Sequence, residues 1–148
     1  MNITGLVHIN INCSNFVRSM KFYELLGFQK LIEVPSKNTS EVAAAVGMPS
    51  YMVKGALLIL KNSKTPIMID LLEWQEPNDN SPPYPHLYHL GIARIALATD
   101  DLDSDVAFLK SHGVEFLSEP ATVRLGDQPE TRFVCFKDPD GTILELVD

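Results

Sequence analysis

The 148-residue sequence predicts an α+β fold assembled from two copies of one strand–helix–strands unit. Three observations carry the prediction. An offset of 86 residues brings His8 onto Arg94, Asn15 onto Asp101, Phe22 onto Phe108 and Gly27 onto Gly113 with no gap between. A repeat of this kind fixes architecture before anything else. Within each copy, period-two alternation of apolar residues gives way to helical spacing, so that Phe16, Met20 and Tyr23 correspond to Leu102, Val106 and Leu109. A second offset, of 75 residues, lays IMIDLLE (67–73) on TILELVD (142–148) and places Asp70 on Glu145.

The elements follow in order. Residues 6–13 put Val7, Ile9, Ile11 and Cys13 on one face and His8, Asn10 and Asn12 on the other, a strand with one apolar and one polar side. Ser14 or Asn15 caps the next helix, and Gly27 ends it. Strands are expected over 28–34, 56–61 and 67–74, with a short helix over 41–46 and a turn at 62–66. Residues 75–90 form a linker stiffened by Pro77, Pro82, Pro83 and Pro85, which also carries Tyr84, His86, Tyr88 and His89. In the second copy a strand runs over 92–99. A helix capped by Asp100 or Asp101 reaches His112, and Gly113 ends it. A strand is expected at 114–117 and a loop at 121–131. A hairpin of 132–137 and 142–148 then turns on Asp138-Pro139-Asp140-Gly141, residue types suited to a type I turn. The chain therefore reads as a single domain over 1–148, with modules at 1–74 and 91–148 joined by 75–90.

This length suits one domain or two small halves sharing a core, and such a chain buries about 68–70% of its unfolded surface without staples. A net charge of −7 argues against nucleic acid or an anionic membrane as partner. No apolar run reaches the ~18 residues of a membrane span, and MNITGLVHI lacks the basic start of a signal peptide. Cys13 and Cys135 lie far apart inside strand patterns, as buried free thiols of a reducing compartment would. The expectation is a cytoplasmic protein.

Asp70 and Glu145 each sit in the middle of an apolar strand. A carboxylate there is costly unless a cation or hydrogen-bond donors meet it. If the first and last strands of each half are neighbours, His8, Asp70, Arg94 and Glu145 converge. The alternative, in which each acid merely pairs with a nearby base or reaches solvent at a strand edge, stays open on the pattern alone.

With His8 in its first strand, SMKFYELLGF (19–28), IDLLEW (69–74), GIARIALATDDLD (91–103) and DPDGTILEL (138–146), the chain resembles the vicinal oxygen chelate superfamily, the glyoxalase, bleomycin-resistance and extradiol-dioxygenase group, over essentially its whole length. The resemblance implies paired βαβββ modules whose curved mixed sheets surround a cleft, a homodimer, and a divalent metal (Zn, Ni, Co, Mn or Fe) held by side chains of the first and last strands. His8 matches the first histidine ligand and Glu145 the final glutamate; Asp70 stands where the family often has Glu, Gln or His. His8, Asp70 and Glu145 are thus the implied metal ligands. Arg94 stands where the family usually has its second histidine. A guanidinium is always cationic and has no lone pair to give, so metal binding is expected to be weakened or lost unless His86 or His89 substitutes.

The catalytic residues implied are Glu145 and His8 for proton transfer and Arg94 for holding an oxyanion. Asn10 and Asn12, on the face of His8, together with Tyr51 and Lys54 in the loop after the short helix and Trp74, are the expected substrate contacts. Two functions fit. One is an isomerase- or lyase-type enzyme of glyoxalase or epimerase kind; a ring-cleaving dioxygenase fits less well, because Arg94 removes one of the histidines that Fe(II) would want. The other is a metal-free protein that sequesters a ligand.

Overall fold

The structure, a computed structural model, describes residues 1–148. It divides into two compact units, Met1–Ser81 and Pro82–Asp148, and each repeats one plan.

In the first unit, β1 (Ile9–Asn12), α1 (Phe16–Leu25), β2 (Phe28–Glu33), α2 (Ser40–Ala45), β3 (Met52–Leu60) and β4 (Met68–Glu76) follow one another. The sheet order is β1-β4-β3-β2. β1 pairs with β4 in parallel, and the other neighbours are antiparallel. Asn15 is the cap of α1, its side chain accepting from Arg18 N. Glu73 of β4 accepts the next free helix donor, Phe16 N, at 2.7 Å, which ties the start of α1 to the sheet. Tyr23 and Phe22 of α1 and Phe28 of β2 pack edge to face, at 5.3 and 5.9 Å between centroids, over buried Ala56, Leu58, Ile69 and Leu71. Gly27, at φ 90°, takes the left-handed turn that releases the chain into β2.

The second unit contains β5 (Ile95–Ala98), α3 (Leu102–Ser111), β6 (Ala121–Val123), β7 (Thr131–Lys137) and β8 (Ile143–Val147), in the order β5-β8-β7-β6. Asp101 caps α3 by accepting from Ser104 N. Leu102, Val106 and Leu109 are the buried face of α3, and Leu97, Val134, Phe136, Leu144 and Leu146 are the buried residues of the strands of the same unit. The duplication reaches the strand register: Asn10 pairs with Asp70 in β1/β4, and Ala96 with Glu145 in β5/β8.

Several boundaries differ from expectation. The strand expected at 114–117 is reduced to one bridge, Phe116 to Phe136. That segment still runs along β7, with Leu117 N bonded to Cys135 O and Lys137 N to Glu115 O. The regular pairing passes instead to Ala121–Val123, which the sequence places in a loop. Both segments use one edge of β7, and β6 takes its Thr131–Phe133 end. β3 begins at Met52 rather than 56, so Lys54 belongs to a strand and not to a loop. β1 and β5 are shorter than their patterns, leaving His8 and Arg94 each one residue ahead of its strand. Cys13 and Cys135 are buried and not joined in a disulfide, and no helix is long and apolar enough to cross a membrane.

Candidate functional site

In the first unit, residues in register across a parallel pair share a face, and the period of two carries that face along each strand. Asn10 and Asp70 are in register, so His8, Asn10 and Asn12 line the side on which Asp70, Leu72 and Trp74 stand. Asn10 Nδ2 donates to the backbone carbonyl of Asp70 at 2.8 Å. Trp74 Nε1 donates to Asn12 Oδ1 at 2.9 Å, and the Trp74 ring lies 5.0 Å from that of Tyr51, tilted by 39°. Asp70 Oδ1 is buried without a hydrogen-bond partner. Burial raises the Asp70 carboxyl above the usual carboxylate range, and the nearby His8 charge opposes that rise.

Five of the expected substrate and ligand residues, His8, Asn10, Asn12, Asp70 and Trp74, therefore share one face, with Tyr51 against its tryptophan. Lys54 does not join them. It pairs with Glu73 across β3/β4, on the α1 side of the sheet, with its Nζ 5.9 Å from the Phe16 ring centroid.

In the second unit, Arg94 precedes β5 and reaches Glu145 of β8, Nε lying 2.7 Å from Oε2. The glutamate side chain is 9% exposed and the arginine 45%, so a buried acid meets a cation rooted at the surface. Cys135, across β7/β8 from Glu145, donates its S–H to the same oxygen at 3.5 Å. Burial pushes the Cys135 thiol up to about 11, aided by its bond to Glu145 and that carboxylate's charge and opposed by Arg94. The thiol is therefore a donor at neutral pH. Sequence reasoning left Cys135 out of the site. The hairpin register that could have found it was within reach, because the turn at 138–141 sets Lys137 opposite Ile143 and so Cys135 opposite Glu145.

His86 stacks on Tyr88, and His89 on Tyr84, at 4.6 and 4.1 Å between ring centroids and 7° between planes in both pairs. His89 Nδ1 also lies 3.1 Å from Leu90 O.

The sequence matches the family model described as the Glyoxalase/Bleomycin resistance protein/Dioxygenase superfamily over residues 5–146. The chain belongs to that superfamily. The uncharacterized protein YaeR of Escherichia coli K12 is 40% identical over 58 residues, 39% of this chain and 42% of that protein, so the match takes in less than half of that relative's length. Among solved structures, a glyoxalase family protein of Bacillus cereus superposes with a TM-score of 0.78 at 18% identity, over 99% of this chain and 95% of that one. A glyoxalase family protein of Enterococcus faecalis is 27% identical, with a TM-score of 0.62 and full coverage of both chains.

Members of this superfamily commonly bind a divalent metal, and the donors of each unit can be tested for it. In the first unit His8 and Asp70 offer two. In the second, Glu145 already faces a guanidinium, which repels a divalent cation and has no lone pair to give, and the neighbouring thiol is held protonated. No group of three or more His, Cys, Asp or Glu side chains is arranged to hold an ion. Taken by itself, neither unit's donor set fits a divalent metal. What they do offer is different in kind: a partly buried carboxyl, Asp70, with His8 on its face in the first unit, and an ion pair, Arg94 with Glu145, in the second.

Proposed function

We propose that this superfamily member is a small-molecule enzyme of isomerase or lyase type that works by acid–base chemistry of its own side chains, without a divalent metal on Glu145. The observation carrying this reading is the 2.7 Å approach of Arg94 Nε to Glu145 Oε2. Asp70 is the proton-transfer group: its raised carboxyl titrates nearer to working pH than an ordinary aspartate, and His8 tunes its charge. Asn10, Asn12, Trp74 and Tyr51 supply polar and aromatic contacts for a substrate on the Asp70 face. In the second unit, Arg94 offers a fixed positive charge to an anionic group, and Glu145 orients it. The protein acts in the cytoplasm as a homodimer; light scattering tests the second point.

The test uses the EDTA-treated protein in D2O with a panel of thiohemiacetals and acyl thioesters, read by proton NMR for exchange of the carbon-bound hydrogen. The expected result is exchange without added metal that falls about 100-fold in Asp70→Asn, the scale of general acid–base catalysis. Exchange that appears only after a divalent ion is added, and disappears in Glu145→Gln, would overturn the reading. The Arg94–Glu145 pair also suits a second function, capture of a ligand without turnover. That function is indicated if members of the panel bind and none exchanges.

A further inference from the structure

Position 94 is where the superfamily resemblance puts a metal ligand, and the residue there is a donor fork. Arg94 is engaged by Glu145 at Nε, which leaves the Nη end of the guanidinium for an outside acceptor. Three features prepare it. Glu145 is buried and accepts Cys135 S–H on the oxygen that faces Arg94, so the acid that anchors the arginine is itself held. The next residues on the face of Arg94 along β5 are Ala96 and Ala98, both exposed, and neither has bulk to cover the fork. The other cations of this unit that β7 carries are already engaged: Arg132 by Asp103 at 2.6 Å and Lys137 by Glu115 at 2.7 Å.

We infer that the Nη end of Arg94 is a binding site for a monoanionic carboxylate on a small-molecule ligand. A planar carboxylate matches the guanidinium edge in bidentate fashion. Glu145 on the far side of Arg94 sets the preference for one negative charge, since a dianion doubles the repulsion from that acid. The inference deepens the proposed function by naming the substrate's recognition group, and it rests on that reading only for the claim that the ligand is a substrate.

The test uses the full chain and two probes, sodium acetate and inorganic phosphate at pH 8, with sodium chloride at equal ionic strength as control. The readout is the side-chain 15N–1H resonances of Arg94, assigned by their loss in Arg94→Lys. Acetate is expected to shift them saturably, phosphate more weakly, and chloride not at all. Arg94→Lys keeps the charge and lacks the planar fork. It is expected to weaken acetate binding about tenfold or more, the loss of one charge-assisted hydrogen bond, as followed on the backbone amides of Ala96 and Ala98. Arg94→Gln, whose unchanged amide spectrum elsewhere verifies folding, is expected to abolish it.

No saturable shift, tighter binding of phosphate than of acetate, or equal acetate affinity in Arg94→Lys would overturn the inference. Acetate binding without proton exchange in the panel sinks the enzyme reading and leaves this site standing. Exchange without acetate binding does the reverse.

Discussion

Removing the Arg94 guanidinium should expose what the buried Glu145 requires. Arg94→Met keeps most of the aliphatic stem and deletes the charge. At 2.7 Å the gross attraction between unit charges is about 1.5 kcal/mol in water and about 6 kcal/mol at an effective dielectric of 20. Breaking a fully buried pair costs about 3–5 kcal/mol, and an exposed pair is worth about 0.2–1 kcal/mol. Here the acid is buried and the base is 45% exposed, so a loss of about 2 kcal/mol is expected. With a urea slope of about 2 kcal/mol/M, the unfolding midpoint falls by about 1 M. Glu145→Gln should cost less, because it leaves a solvated arginine and a neutral amide that still accepts from Cys135. The double variant Arg94→Met/Glu145→Gln should recover much of the loss, with a coupling energy above about 1 kcal/mol. Urea titrations of the four proteins followed by circular dichroism measure it. A coupling below about 0.5 kcal/mol, or a double variant no more stable than Arg94→Met, would refute the assignment of Arg94 as the counter-charge of Glu145.

Three further outcomes follow from geometry already described. Asp70→Asn should stabilise the protein at neutral pH: a carboxyl whose folded pKa lies above its ordinary value loses stability as pH rises from the unfolded value through the folded one, so the variant's advantage should grow with pH through that window and vanish in stronger acid. The gain is modest because Asp70 is partly solvated, and a wild-type-minus-variant difference that stays flat from acid to neutral pH would contradict it. Gly55→Ala should destabilise by about 2–3 kcal/mol, an overpacking cost, because a Cβ there lies 2.3 Å from Leu71 O and 2.6 Å from Leu72 Cδ2; thermal unfolding indistinguishable from wild type would show that β3 and β4 part easily. Cys135, with its thiol raised to about 11, should be only about 0.1% thiolate at pH 8, so on a Cys13→Ser background it should react with an aromatic disulfide reagent far more slowly than glutathione until urea unfolds the chain.

The duplicated plan was legible because it is written in residues that act locally. Asn15 and Asp101 announce helix starts, Gly27 and Gly113 announce their ends, and the acids at 70 and 145 interrupt apolar runs that only a buried strand explains. The pattern also allowed His8 to meet Asp70 and Arg94 to meet Glu145 if the first and last strands of each half were neighbours, and the parallel registers of β1/β4 and β5/β8 supply that condition. What escaped the sequence depended on the third dimension. Lys54 alternates correctly for either face, and only the arrival of Phe16 and Glu73 on the α1 side shows which one it takes. Residues 114–117 and 121–123 compete for one edge of β7, and alternation in either segment alone does not say which forms the longer ladder. Cys135 read as a core thiol, which it is, and its bond to Glu145 appears only once the hairpin register is fixed. Trp74 was expected at the site, but its donation to Asn12 depends on the β1/β4 register, which sets Asn12 beside Leu72, two residues before Trp74.

The shared register of the two parallel strand pairs has a consequence for how such a chain can change. Positions 8 and 94 stand one residue ahead of ladders that form whatever side chains they carry, so chemistry and scaffold can change separately. A histidine codon becomes an arginine codon through a single base substitution. One such step at position 94 exchanges an imidazole for a guanidinium while every ladder hydrogen bond of β5 and β8 stays where it was. Duplication adds a safeguard, because the first unit holds its own basic residue and acid in the same frame while the second is altered. Two copies of one aiming device therefore let such a chain revise one half of its chemistry at a time, provided the acid opposite each position keeps a partner.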